Sequence, residues 1–349
     1  AGTGRAGALQ EGVAAPPGPE PVLVEVWSLG GPVEAAALGD ATGDGVQELL
    51  VARGRTVELY APVEGGWVLT GALPGLASTP TAAVAVDLSQ DGVPELVVGT
   101  DQPGALYVFH WNGREWSYQS QSRYLWSRIV RLAAAPLLDG GQPGVVALTE
   151  TGEAVLFGWD GRQLRPRWEA PGEVTPIVHL LVGDLLGDGR PVVVVGREAD
   201  YVGVWRWNGE TLVPLWENYP WGPVLAMTLV DVDADGRQDV LVQTAEGILY
   251  TFGYVRGGLD FKQPHDPETP VRARRLAPLP SPSPSRLPLL GLLEHGLALL
   301  RPGPPLQSHL LVPSRWLGEV RGLLPLPDGV LVVTPQELKV LAWRPPDTL

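Results

Sequence analysis

Ala82-Ala-Val-Ala-Val-Asp-Leu-Ser-Gln-Asp-Gly-Val-Pro-Glu-Leu-Val-Val-Gly99 sets two short apolar runs around an acidic loop. Runs of this length, rich in valine and bounded by Asp and Gly, read as strands. A third run, Ala105-Leu-Tyr-Val-Phe-His-Trp111, turns at Asn112-Gly113 into a fourth, Glu115-Trp-Ser-Tyr118. Asn-Gly between apolar strands is a strong hairpin signal, because both central residues of the tight turn take positive φ. Four strands joined this way make one antiparallel sheet. A mostly apolar first strand suits a crowded interior, and a more polar fourth strand suits an exposed edge.

The plan recurs. The first loop position falls at Asp40, Asp87, Pro136, Asp184 and Asp231, in steps of 47, 49, 48 and 47 residues. A period that constant marks a repeat array, and a four-stranded propeller blade has this length. The hairpin turn returns at Asp160-Gly161 and Asn208-Gly209. Beyond Asp231 the period continues without the acids. Arg286-Leu-Pro-Leu-Leu-Gly-Leu-Leu-Glu-His-Gly296 aligns with Arg237–Gly247, and Ser281-Pro-Ser-Pro-Ser285 takes the place of the loop.

A seventh unit begins near Gly318 and stops one strand short, while Val22-Leu-Val-Glu-Val-Trp-Ser-Leu29 supplies an unmatched strand at the other end. Joining the two removes the open edges of a linear array. The sequence therefore predicts an all-β chain forming a seven-bladed propeller of four-stranded antiparallel blades, closed by the N-terminal strand. The blades fall at 31–75, 79–122, 127–170, 175–218, 222–265, 270–314 and 318–343 plus 22–29. Residues 21–349 form one propeller domain, and residues 1–20, rich in Ala, Gly and Pro, form an extended or disordered tail.

Composition narrows the function. A net charge of −14 disfavours nucleic acid and anionic membrane surfaces as partners. No cysteine is present, which removes disulfides, thiolate metal sites and cysteine nucleophiles. The longest apolar region, Leu287–Leu300, is interrupted by Glu294 and His295 and is too short to span a bilayer. The five histidines are scattered without zinc spacing, and no phosphate loop or nucleophile elbow occurs.

The acidic loops carry the metal chemistry. In Asp231-Val-Asp-Ala-Asp-Gly-Arg-Gln-Asp239, Asp231, Asp233, Asp235 and Asp239 present carboxylates at positions 1, 3, 5 and 9, and the Arg237 carbonyl stands at position 7. Calcium takes six to eight oxygen ligands, and a tight loop delivers them at alternate positions. Asp40, Thr42, Asp44 and Glu48 with the Val46 carbonyl make a thinner version, as do Asp87, Ser89, Asp91 and Glu95 with the Val93 carbonyl. The competing reading is an Asp-rich turn held by side-chain-to-backbone hydrogen bonds. That reading prevails at Asp184 and Asp188, where Leu186 and Val192 replace two ligands. Pro136, Leu138 and Gly140 offer no metal ligand at all.

The units resemble FG-GAP/VCBS repeats, the calcium-loop repeats of the integrin alpha-subunit propeller and of bacterial surface proteins. The resemblance is carried by Asp231–Asp239, Asp40–Glu48 and Asp87–Glu95, and covers roughly 22–343 by period. It implies structural Ca2+ and an extracellular or cell-surface setting. The start at Ala1 without an initiator Met is explained by a removed signal peptide, or equally by a trimmed chain. Without a catalytic constellation, the expected function is non-enzymatic: adhesion, binding of a protein or glycan on a propeller face, or assembly of a surface filament through residues 1–20. A polysaccharide-binding lectin or polysaccharide-acting enzyme is the alternative. Trp111, Trp159 and Trp207 recur at one blade position, as packing residues do, whereas Trp126, Trp221 and Trp316 precede first strands and are candidates for a binding surface.

Overall fold

A computed structural model describes residues 22–170, 175–265, 270–279, 289–302 and 306–344. The tail 1–20 and the Ser281–Ser285 stretch lie outside the described residues. The described residues form seven four-stranded sheets. In six of them the strand order follows the chain, and the seventh pairs the N-terminal strand Val22–Gly30 with Glu337–Arg344, the last strand. Val22 pairs with Arg344 and Gly30 with Glu337, and the junction is extended by Gly31 N–H to the Gln336 carbonyl at 2.8 Å. The ring closes as the sequence predicts. Among the described residues no helix is long and apolar enough to cross a membrane.

Burial differs from the expected gradient in one respect. The second strands are the deepest: Glu95–Thr100, Gly144–Thr149, Val192–Arg197 and Asp239–Thr244 are buried at every residue. The first strands, such as Ala35–Gly39, are only half-buried. They stand around the ring axis and face an open channel on one side, whereas second strands have a neighbouring blade on each face.

That two-sided burial explains the uninterrupted apolar runs. Side chains alternate across a strand, so Leu96 and Val98 pack toward blade one while Val97 packs toward blade three. Val193 and Val195 face blade three, and Val192 and Val194 face blade five. Each buried aliphatic side chain contributes about 1.5–3 kcal/mol of transfer free energy. A hydrophobic cluster of this kind lies at every blade-to-blade interface, including those flanking the closure.

Strand direction sorts the connections. In the blades whose connections are described, the first-to-second loops and third-to-fourth turns lie on one face of the ring. The second-to-third turns and the connections between blades lie on the other. The acidic loops therefore share one face, and Trp126, Trp221 and Trp316 share the opposite one.

Candidate functional site

The acidic loops adopt one repeated conformation, built by their own carboxylates. Asp40 Oδ1 accepts the amides of Gly43 and Asp44, and its Oδ2 accepts that of Gly45. Asp184 repeats this cradle in full, and Asp87 and Asp231 keep its bonds to the amides of positions 5 and 6. The position-5 acid caps the position-7 amide, as in Asp44 to Val46 at 2.8 Å and Asp235 to Arg237 at 2.8 Å. The position-9 acid reaches back to position 2: Glu48 to Ala41, Glu95 to Leu88 and Asp239 to Val232. The glycine at position 6 takes positive φ, 83° at Gly236, as the sharp turn requires. Position 4 is left-handed as well, filled by Gly43, Gln90, Gly187 and Ala234. In blade three a single turn of 3-10 helix, Asp139–Gly141, replaces the loop.

The fourth blade follows the turn reading, with Asp188 held by Arg206 Nη2 at 2.7 Å. In the fifth blade the structure brings Asp231, Asp233 and Asp239 together, one oxygen from each within 4.8 Å of the others. A side chain enters this cluster that the loop sequence does not show. Lys262 Nζ lies 2.8 Å from Asp233 Oδ2 and 2.7 Å from Asp239 Oδ1, so an ammonium stands between two of the expected metal ligands. Asp239 is fully buried, and Lys262 is the ion-pair partner of its Oδ1. Desolvation works against the ammonium, but its bonds to Asp233 and Asp239 outweigh that and raise the Lys262 pKa. Asp235 turns away to Arg237 Nη1 at 3.2 Å.

Two local features deliver the lysine. The register between the third and fourth strands slips by one residue, pairing Thr251 with Gln263 and Phe252 with Phe261, so Lys262 is the unmatched bulge residue. Bulges re-aim side chains in this way. Lys262 then crosses Gly253, where an added Cβ would collide with Asp239 Oδ1 and with Lys262 Cε. The residue corresponding to Gly253 in blade two is His110, whose Nδ1 lies 3.3 Å from Glu95 Oε1. His110 follows from third-strand register once the blade period is aligned, whereas Lys262 lies on the fourth strand and is brought in by the bulge.

Blade one differs. Among the described residues no cation of the chain pairs with Asp40, Asp44 or Glu48, and Thr42 Oγ1 donates to Glu48 Oε1 at 3.3 Å. Burial pushes the Glu48 carboxyl above its usual value. The Ala41 amide offsets part of this, and the charges of Asp44 and Asp40 add to it. Asp40, Thr42, Asp44 and Glu48 carry the oxygen donors a hard cation takes, but among the described residues only Asp231, Asp233 and Asp239 bring three acidic ligand atoms within 4.8 Å of one another. In blade five the lysine competes for the same oxygens.

On the opposite face the three tryptophans are among the most exposed large side chains, Trp126 at 72%, Trp221 at 75% and Trp316 at 65%, with Tyr219 at 67% two residues before Trp221. Trp126 holds a positive φ of 61°, packs against Tyr124 at 5.5 Å, and its amide donates to the Pro103 carbonyl. Arg315 lies over the Trp316 ring. Tyr124-Leu-Trp126 and Tyr219-Pro-Trp221 are the same motif two blades apart, a signal legible at twice the blade period. Trp207 is buried, its indole N–H donating to Asp139 Oδ2, and Trp111 and Trp159 pack against neighbouring clusters. The recurring set is structural, as its spacing implies.

No family model and no curated protein matches the chain. Among solved structures it is similar to the crystal structure of BBS1N in complex with ARL6DN, soaked with mercury. The TM-score is 0.60 and the identity 13%, over 93% of this chain and 98% of that one. The same complex soaked with lead matches at TM-score 0.60 and 14% identity, over 92% and 97% of the two chains. At these identities the likeness is one of fold.

Proposed function

We propose that the chain is a non-catalytic docking propeller, working at the cell surface or outside the cell, that takes a protein partner on its tryptophan-bearing face. The observation that carries this is the exposure of Trp126, Trp221 and Trp316 together on one face of a rigid ring. Aromatic side chains supply large contact area at low entropic cost and are enriched at binding hot spots. A fold neighbour seen in complex with another protein supports the same use of the scaffold.

Calcium, in this reading, is a structural ion of the opposite face. Asp40, Thr42, Asp44 and Glu48 of blade one would hold it, with Asp87, Ser89, Asp91 and Glu95 of blade two next. Lys262 takes over the neutralising role in blade five. The resemblance to FG-GAP/VCBS repeats and the low affinity expected of so few carboxylates both point to surroundings rich in calcium.

Replacing all three tryptophans by serine tests the docking reading. Those side chains are exposed, so the fold should survive, which circular dichroism checks. Cross-linking in calcium-containing extracellular extract should recover a protein with the parent chain and lose it with the triple variant. Equal recovery by both chains would sink the proposal. Retention of oligosaccharides on a glycan array, lost in the same variant, would assign the tryptophans to sugar stacking instead.

A further inference from the structure

The ring axis is occupied by a channel of about 740 Å³, within the range of small-ligand pockets of about 300–1,000 Å³. Its walls are apolar, built from first-strand residues such as Ala36, Ala83, Leu132, Leu180 and Leu324. At the end shared with the tryptophans the lining turns basic. Arg128, Arg131, Arg274, Arg275 and Arg321 converge there from three blades, with Glu34 as the one carboxylate among the described lining residues. In a chain of net charge −14 this is a concentration of the opposite sign.

The arginines are only partly neutralised. Arg128 pairs with Asp101 at 3.4 Å, and Arg321 stands 3.7 Å from Glu319. Arg275 donates to the carbonyls of Arg274 and Arg321 rather than to an acid. Among the described residues no carboxylate pairs with Arg131, Arg274 or Arg275. Enclosure in the ring and the charge of Arg275 both push the Arg131 pKa down, and enclosure does the same to Arg275. Arg131 and Arg275 come from blades three and six and meet across the channel mouth. Arg131, Arg274 and Arg275 are nevertheless exposed to the water of the channel, which screens their repulsion and leaves the guanidiniums accessible to an anion. Guanidinium groups match the planar geometry of oxyanions and bind them by paired hydrogen bonds.

We infer that the mouth of the central channel is a binding site for a small multivalent oxyanion, held between Arg131, Arg274 and Arg275. The shared chemistry is a cluster of anionic oxygens, whether from phosphoryl or carboxylate groups. The site uses residues distinct from the tryptophans, although both lie on the same face of the ring, and its test needs no docked partner.

Titration calorimetry of the full chain at constant ionic strength, with sodium pyrophosphate in one arm and citrate in the other, tests this. One of the two should bind with one-to-one stoichiometry, and the arm that binds identifies the source of the oxygens. Arg131→Met should weaken that binding about tenfold or more, the loss of a charge-assisted hydrogen bond. The same variant should keep or raise the urea midpoint of the free protein, because it removes a like-charge contact. Arg114→Ala, on the acidic face, should leave binding unchanged. If Arg131→Met fails to fold, Arg274→Gln carries the same expectation. A second readout is His179, whose pKa is held at about 4 by enclosure and by Arg131 and Arg275. Bound pyrophosphate or citrate should move its ring titration upward. Absence of binding in both arms, binding indifferent to both arginine variants, or equal displacement by chloride would overturn the site.

Discussion

Lys262 changes the meaning of the acidic loop in blade five. Its ammonium does locally what a divalent ion would do, at half the charge and with the geometry of a side chain. Removing one partner of a buried ion pair strands the other, at a cost of about 3–5 kcal/mol. Lys262→Met should therefore destabilise the chelated protein by roughly that amount, measured by urea unfolding. Added calcium should return part of the loss, because the oxygens of Asp231, Asp233 and Asp239 are then free to converge on it. An equal calcium response in the parent chain would show that the lysine does not compete. The pair also sets an alkaline limit. The Lys262 pKa is raised above the ordinary 10.5, so its contribution is complete below that pH and disappears as pH climbs through the folded value. Lys262→Met should lack this alkaline loss.

At the scale of the element, the first strands carry the chemistry that the second strands cannot. Second strands are enclosed on both faces and hold mainly aliphatic side chains and, in blades one, two and five, the acid that anchors the loop. They also hold polar groups such as Arg197 and Gln243, at buried positions where backbone carbonyls accept their hydrogen bonds. First strands face the channel and accommodate charge. His179, on the first strand of blade four, shows the cost of that position. Its Nε2 lies 3.3 Å from the Val224 carbonyl, while enclosure first, and then Arg131 and Arg275, lower its pKa from 6.5 to about 4. As pH falls below 6.5 the unfolded chain takes up a proton at this residue and the folded chain does not. Stability should decline across the window from pH 6.5 to about 4 and then level off with respect to this group. His179→Gln should flatten that slope in thermal melts at stepped pH, and an unchanged slope would assign the acid sensitivity elsewhere.

For the whole molecule, closure is the decisive event. The N-terminal strand completes the seventh sheet and contributes Val26, Trp27 and Leu29 to the interface with blade one, and Leu23 to the one with blade six. Deleting 22–30 would expose the edge of Glu337–Arg344 along its length, a template for pairing with another chain. The truncated protein should associate in size-exclusion chromatography with light scattering, and unfold at lower denaturant. A monodisperse monomer with the parent midpoint would show that the seventh sheet stands without its outer strand.

The sequence alone determined the blade number, the strand order, the closure and the loop turns. These rest on signals local to the chain: short apolar runs bounded by turn residues, tight-turn dipeptides, and a period of 47 to 49 residues. The burial of Trp207 and the exposure of Trp126 were legible from where each falls in the blade. Only the tertiary structure decided which charges meet. Lys262 reaches Asp239 through a one-residue slip in register and the missing side chain of Gly253, and neither belongs to the loop motif. Arg131 and Arg275 face one another because the ring has closed between them. Hydrogen-bonded turns are written in neighbouring residues, but electrostatic interaction acts through space. The occupant of the acidic loop and the sign of the channel therefore became readable only once distant strands were brought around a common axis.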